Sequence, residues 1–367
     1  MVFVALAALA VPSFTPITSS NAQSLLSPGL NLGNTLEAIP NETAWGNPQT
    51  GDAWFASVRR AGFRSVRIPA AWSQYSDAEH RIDPKWMARV KTVVGQAEKA
   101  GLYVLLNVHW DGGWLQPTFA ARESSTRRLA AFWQQIGTAF RDHGDHLLFA
   151  GTNEVHVQGD YGPPAPENAE VQNGFNQTFV TTVRATGGRN RNRWLVVQGY
   201  NTDIDHSLNW NLTLPKDSAR NRLMMELHYY TPYNFTLNEQ SPVWQWGRGA
   251  SSPAATDGWG NEDFVEDRFR KVQQAFGARG IPVILGEYGA YTKPSRPAGR
   301  RYVLRWVRSI TEAASRSGMI PMYWDTGTER GIIHRTTGQV QDPELLRALV
   351  DSDLRGRGLA RVGRSSP

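Results

Sequence analysis

Residues 281–289 read Ile-Pro-Val-Ile-Leu-Gly-Glu-Tyr-Gly, an apolar run that closes on a glutamate, Glu287. A second run, 147–153, closes on Asn153-Glu154. One carboxylate after a strand is ordinarily a solvated loop residue, and one lone histidine is ordinarily a satisfied core residue. Here other apolar runs also end in polar or aromatic groups: Arg67, His109-Trp110-Asp111, His228-Tyr229-Tyr230 and Trp324-Asp325. Two carboxylates aimed across one cleft are what cleavage of a glycosidic bond requires. One protonates the leaving oxygen, and the other attacks the anomeric carbon or activates water. The acid must keep its proton near neutral pH, through burial or a nearby negative charge. The nucleophile must stay ionised, which a neighbouring cation such as Arg67 favours. Rival chemistries fit less well. A metal centre could draw on His109, Asp111, His228 and Asp325, but no His-x-His or His-Glu-x-x-His spacing occurs. No Gly-x-Ser-x-Gly elbow supports a serine hydrolase. A non-catalytic carbohydrate-binding barrel would not need both glutamates. The expectation is chemistry without a cofactor or metal.

These groups need a scaffold that brings strand ends together. Eight short apolar runs occur, at 29–33, 63–69, 102–109, 147–153, 193–199, 223–230, 281–287 and 320–325. Most are continuously apolar rather than alternating, as in parallel strands covered on both faces. Amphipathic stretches lie between them. In 84–99, Trp86, Val90, Val93, Val94 and Ala97 share one helical face; in 125–140, Leu129, Phe132, Trp133, Ile136 and Phe140 do the same. Asp83-Pro84 supplies a helix cap and a first-turn proline. Further helices are expected at 52–61, 171–185, 262–278, 299–315 and 343–350. Eight strand–helix units predict an α/β fold, a single-domain (β/α)8 barrel, whose active site forms at the C-terminal strand ends. A doubly wound sheet would want a Gly-x-Gly-x-x-Gly turn after its first strand, and there is none. The longest irregular stretch, 231–260, holds Trp244, Trp246 and Trp259 and reads as a functional loop. Trp54, Trp86, Trp133, Trp194 and Trp306 read as core. The loop tryptophans divide between sugar platforms and packing.

The ordered set of motifs resembles glycoside hydrolase family 5, the endoglucanase-type cellulases, from about Gly29 to Val350. The matching stretches are Gly29-Leu-Asn-Leu-Gly-Asn34, Ala44-Trp-Gly-Asn-Pro48, Val66-Arg-Ile-Pro69, Asn107-Val-His-Trp-Asp111, Asn153-Glu154, His228-Tyr-Tyr-Thr-Pro232, Gly286-Glu-Tyr-Gly289 and Tyr323-Trp324. The resemblance implies that Glu154 is the acid/base and Glu287 the nucleophile of a retaining, two-step mechanism. It implies that Asn153 binds a sugar 2-hydroxyl, that Arg67 and Tyr230 hold the nucleophile, that His109 and His228 line the cleavage subsite, and that Trp324 stacks under a sugar ring. On that reading Glu287 titrates low and Glu154 high. Three departures stand out: Ala150 where family members often carry a buried glutamate, Val155 for proline, and Trp110 where a second histidine often follows the first. The implied activity is an endo-β-1,4-glucanase acting on cellulose-like glucan, with xyloglucan, mixed-linkage glucan or β-mannan as alternatives.

The chain has 367 residues, a formal net charge of +6 and no cysteine, so no disulfide or thiolate metal site can form. Residues 2–11 are almost unbroken apolar, too short to span a membrane, and Ser20-Asn21-Ala22 resembles a cleavage site. A signal peptide over 1–22 is expected, although no Lys or Arg precedes the apolar run. Secretion as a monomer with no membrane association in the mature form follows. The catalytic domain is expected over 23–353. A basic tail over 354–367, with Arg355, Arg357, Arg361 and Arg364, reads as a solvated end rather than a nucleic-acid site.

Overall fold

A computed structural model describes residues 14–359. All eight apolar runs form strands: β1 Gly29–Asn31, β2 Ser65–Ile68, β3 Tyr103–Asn107, β4 Leu147–Ala150, β5 Leu195–Gln198, β6 Leu223–Tyr229, β7 Val283–Tyr288 and β8 Ile320–Tyr323. Each pairs in parallel with the next, and β8 pairs with β1 to close the barrel. The helices are α1 Ala22–Leu26, α2 Asp52–Ala61, α3 Pro84–Lys99, α4 Phe119–Ala139, α5 Pro166–Ala185, α6 Ile204–Asn209, α7 Tyr233–Thr236, α8 Glu262–Ala275, α9 Arg300–Arg316 and α10 Pro343–Gly356. The expected (β/α)8 barrel is therefore present. The short helices α1, α6 and α7 carry too few turns to leave a period in the sequence.

The helix starts follow side-chain capping. Asp83 accepts from Lys85 N (2.8 Å) ahead of α3, and Asn261 and Asp342 cap α8 and α10 in the same way. The apolar faces of α3 and α4 bury the residues expected of them. Trp54, Trp86, Trp133, Trp194 and Trp306 are all buried. Barrel-facing side chains such as Leu105, Leu148, Ala150, Val196, Met224, Ile284 and Met322 fill the interior.

Three features shape the barrel's two ends. The first is a register shift between β6 and β7: Leu227 pairs with Leu285, but His228 pairs with Glu287, which leaves Gly286 as the extra residue. A bulge of this kind re-aims the side chains beside it. Asn31 Nδ2 donates to the carbonyl of Gly286 (2.8 Å), so that bulged carbonyl is satisfied. The second is the 231–260 loop, which is tied down rather than loose. Lys293 Nζ donates to the carbonyls of Asn234, Asn238 and Ser241 at 2.8–2.9 Å. Trp246 is buried and donates to Gly260 O (2.7 Å), so it packs and cannot meet a sugar.

The third feature lies at the opposite, N-terminal end of the barrel. Ile17 and Ala22 are buried against barrel-interior residues. Trp194 Nε1 donates to Ile17 O (3.0 Å) and Tyr103 Oη to Thr15 O (2.8 Å). The described part of the expected leader, 14–22, thus plugs the barrel base, while 1–13 lie outside the described residues. At the other terminus α10 runs further than the pattern indicates. Arg355 pairs with Glu312 and Arg357 with Asp353, so these two belong to the helix end and not to a tail. Arg361 and Arg364 lie outside the described residues.

Candidate active site

The C-terminal strand ends do converge. Arg67, from β2, is fully buried, and its two terminal nitrogens reach three partners. Its Nη1 donates to Glu287 Oε1 (2.8 Å) and Asn31 Oδ1 (3.0 Å), and its Nη2 to Asn153 Oδ1 (2.7 Å). Tyr230 Oη donates to Glu287 Oε2 (3.0 Å). Burial and the Glu287 charge push the Tyr230 phenol well above its ordinary value, so it stays protonated and remains a donor. Both oxygens of Glu287 are thereby held. Glu154 is the more open of the two, 36 % exposed against 7 % for Glu287. His228 stands between them, with Nδ1 2.7 Å from Glu154 Oε1 and 3.7 Å from Glu287 Oε2. One oxygen of each glutamate and the imidazole nitrogen lie within 4.8 Å of one another.

His109 sits across the cleft with its ring stacked on Trp324 (centroids 5.9 Å apart, 18° between planes). Asn107 fixes its tautomer. Asn107 Oδ1 accepts from Ala70 N (3.1 Å), so its Nδ2 faces His109 Nδ1 (3.1 Å) and the ring keeps Nε2–H for a ligand. Burial, with the charges of Arg67 and His228, drives His109 well below its ordinary value and keeps it neutral. The indole of Trp324 lies over Gly33, where a Cβ would come within 2.9 Å of the ring. The cleft beside Glu154 is walled by His109, Trp110, Trp114, Gln116, Asn153 and His156 among others. All eight expected site residues are therefore together on one face. The four imagined metal ligands are not a set. Asp111 accepts from Trp72 N, Ser73 N, Gln74 N and Trp114 Nε1 and so ties its loop to the β2–α3 connection, and Asp325 accepts from Gly327 N beside Arg335 in its own loop.

Sequence reasoning misses two residues, Asn31 and Glu226. Glu226 is fully buried inside the barrel on β6. Its Oε1 lies 2.7 Å from Arg67 Nε and 3.3 Å from His228 Nε2, and its Oε2 accepts from Gln198 Nε2 (2.7 Å). Gln198 Oε1 in turn accepts from Thr152 N and Oγ1 (3.1 and 3.0 Å). The hydrogen bonding left open by Ala150 is thus supplied from β5 and β6. The backbone after Glu154 is likewise fixed without proline: Asn201 N donates to Val155 O (2.8 Å). Gly286 has its reason here, because a Cβ there would stand 2.1 Å from Glu226 Oε1. A signal is present in the sequence: a lone acid inside Met-Met-Glu-Leu, a buried run, needs a cation.

The charges differ from the expectation. Burial opposes ionisation of Glu226, but Arg67 and His228 overcome it and hold the carboxyl down at about 2. Burial would lower His228, yet Glu287, Glu154 and Glu226 hold it up at about 9. Glu154 is also pressed upward by burial, but the His228 hydrogen bond and charge bring it below its ordinary range. Glu287 goes up: burial raises it, Glu154 and Glu226 repel its charge, and Arg67 and His228 only partly compensate. In the free site the order is the reverse of the one the sequence suggests. Arg67 and Tyr230 alone would favour an ionised Glu287, but neither Glu226 nor the protonated His228 enters that reasoning.

Comparison with known proteins agrees with this geometry. The family model described as Cellulase (glycosyl hydrolase family 5) matches residues 31–330. A xyloglucan-specific endo-beta-1,4-glucanase of Bacteroides ovatus is 40 % identical over 354 residues, covering 91 % of this chain and 70 % of the relative. Endoglucanase A of Paenibacillus barcinonensis is 34 % identical over 333 residues, covering 85 % and 83 %. A family 5 xyloglucanase structure from Paenibacillus pabuli superposes with a TM-score of 0.85 at 36 % identity, covering 90 % of this chain and 99 % of that one. A barrel whose mouth gathers two glutamates, and whose matched stretch spans both, is a glycoside hydrolase, and the chain belongs to glycoside hydrolase family 5.

Proposed function

We propose that this hydrolase is an endo-acting, retaining β-1,4-glucanase, with Glu287 as nucleophile and Glu154 as acid/base. The observation that carries the reading is the carboxylate pair itself. A glutamate oxygen from each side lies within 4.8 Å of the other, nearer the roughly 5–5.5 Å of retaining sites than the roughly 6.5–9.5 Å of inverting ones. Arg67 and Tyr230 fix both oxygens of Glu287 for attack from one face of the sugar. Glu154, open to the cleft and bonded to His228, shares a proton with that imidazole. Moving the proton along the 2.7 Å bond leaves neutral His228 and a protonated Glu154, able to serve the leaving oxygen. After glycosylation the same carboxylate takes a proton from water, which then attacks the intermediate. Asn153, oriented by Arg67, is placed to bind the 2-hydroxyl. His109 Nε2–H and the Trp324 ring are placed to hold the sugar above them.

Xyloglucan-type chains are the favoured substrate among β-1,4-glucans, on the strength of the Bacteroides ovatus and Paenibacillus pabuli relatives; plain cellulose-like glucan and mixed-linkage glucan follow. The protein is proposed to be secreted, on the support of the apolar run at 2–11, and to act as a monomer; no helix among the described residues is long and apolar enough to cross a membrane. The test measures hydrolysis of xyloglucan, carboxymethylcellulose, lichenan and β-mannan, with NMR of the first product. A β-anomer and fastest turnover on a glucan are expected. An α-anomer overturns retention, and fastest turnover on mannan overturns the substrate reading.

A further inference from the structure

At the barrel base, on the face opposite the cleft, a second group of titratable side chains has no part in the chemistry above. Glu98 stands in the last turn of α3, and His143 and His146 in the connection between α4 and β4. Glu98 Oε1 lies 2.8 Å from His143 Nδ1 and 2.9 Å from His146 Nε2. The three side chains are only 16–23 % exposed.

Two observations set this group apart from an ordinary ion pair. His146 Nε2 is buried and, although it approaches Glu98 Oε1 to 2.9 Å, has no well-aligned hydrogen-bond partner. The connection that carries the histidines is also rigidly built. The buried Arg193 guanidinium donates to the carbonyls of Phe140, His143, Gly144 and Leu147 at 2.6–3.1 Å. Phe14 stacks on the His146 ring (4.3 Å, 27°) and sets its plane.

We propose that Glu98, His143 and His146 form a binding site for a borderline divalent transition metal, with Zn²⁺ the best fit. Two imidazoles and one carboxylate are a ligand set this ion takes, with one position left for water. Tetrahedral bonds of about 2.0–2.2 Å space ligand atoms roughly 3.3–3.5 Å apart, so each ring would recede from Glu98 Oε1 by about half an ångström, within a group whose ligand atoms already lie inside 4.8 Å of one another. The ion would tie the end of α3 to the start of β4. Its role is structural, and it acts independently of hydrolysis.

The experiment is calorimetric titration of chelator-treated full-length protein with ZnCl₂, followed by thermal melts and hydrolysis assays. One ion per chain is expected, with a raised Tm and unchanged hydrolysis. Glu98→Gln and His146→Gln should each weaken binding by about 100-fold or more and abolish the Tm gain. A Co²⁺ absorption spectrum of the unaltered chain tests the site without any variant: intense visible bands mark a four-coordinate site, and weak bands an ion left in water. No binding, or weak Co²⁺ bands, overturns the proposal. So does affinity unchanged in both variants. Binding that blocks hydrolysis and survives Glu98→Gln also overturns it, since the ion would then sit on Glu154, His228 and Glu287, which offer a second donor set.

Discussion

Glu154, Glu226 and Glu287 surround two positive charges, Arg67 and protonated His228, with Glu226 and Glu287 buried and Glu154 facing the cleft. Such a cluster shares protons and titrates as a unit, so its macroscopic values belong to the group and not to one residue. Glu226 is the member that never touches sugar. Glu226→Gln removes one of the charges holding His228 at about 9, so the alkaline limb of kcat/KM should move to lower pH, and a limb that stays in place would contradict this. The two outer glutamates should fail differently. Glu154→Ala should cost about 10²–10⁴-fold on glucans while an activated aryl glycoside still reacts, and added azide should give the β-glycosyl azide. Glu287→Ala should lose turnover on every substrate and give the α-azide when rescued; the opposite pairing of products would exchange the roles. Most of these residues are legible because each stands at or near the end of an apolar run, where a buried polar group needs a purpose. Glu226 shows only as an acid in a buried run and Asn31 not at all, because their partners are other side chains far away in the chain.

The bulge between β6 and β7 is what makes the strand ends fit. It moves His228 opposite Glu287, and it needs a residue with no side chain at 286 because Glu226 occupies that space. Gly286→Ala should therefore fold but lower kcat by about 10²-fold, as a displacement of Arg67 and Glu287 near 1 Å would. Shortening the obstructing acid in Gly286→Ala/Glu226→Asp should recover part of the loss. Circular dichroism and kcat on the pair check this, and equal loss in both would argue against steric displacement. The strands themselves are plain in the sequence, as continuous apolar runs ended by Gly, Pro or polar residues. The bulge is not, because a one-residue offset between two strands separated by some fifty positions leaves no local pattern. Nor is the Lys293 clamp on the 231–260 loop, since its partners are backbone carbonyls that any sequence could present.

For the whole molecule, both ends depart from the simple picture of a leader, a barrel and a tail. The expected cut after residue 22 would remove Ile17, Thr15 and Phe14 from the base, along with their contacts to Trp194, Tyr103 and His146. A chain starting at residue 14 should melt several degrees higher than one starting at residue 23. Burial of Ile17 alone is worth about 1.5–3 kcal/mol, and the freed indole N–H of Trp194 adds to the cost. Equal melting temperatures would mean the base closes without the segment, and N-terminal sequencing of exported protein shows which start is used. The barrel is readable from eight repeated units, but the packing at its base is not, because a segment that resembles a leader gives no sign that it can pack against the fold. The plug also fixes where the chain leaves the barrel. It does so at the end remote from the cleft, so attachment through the N-terminus, to a bead, a scaffold or a cell surface, would turn the catalytic mouth outward toward the polymer.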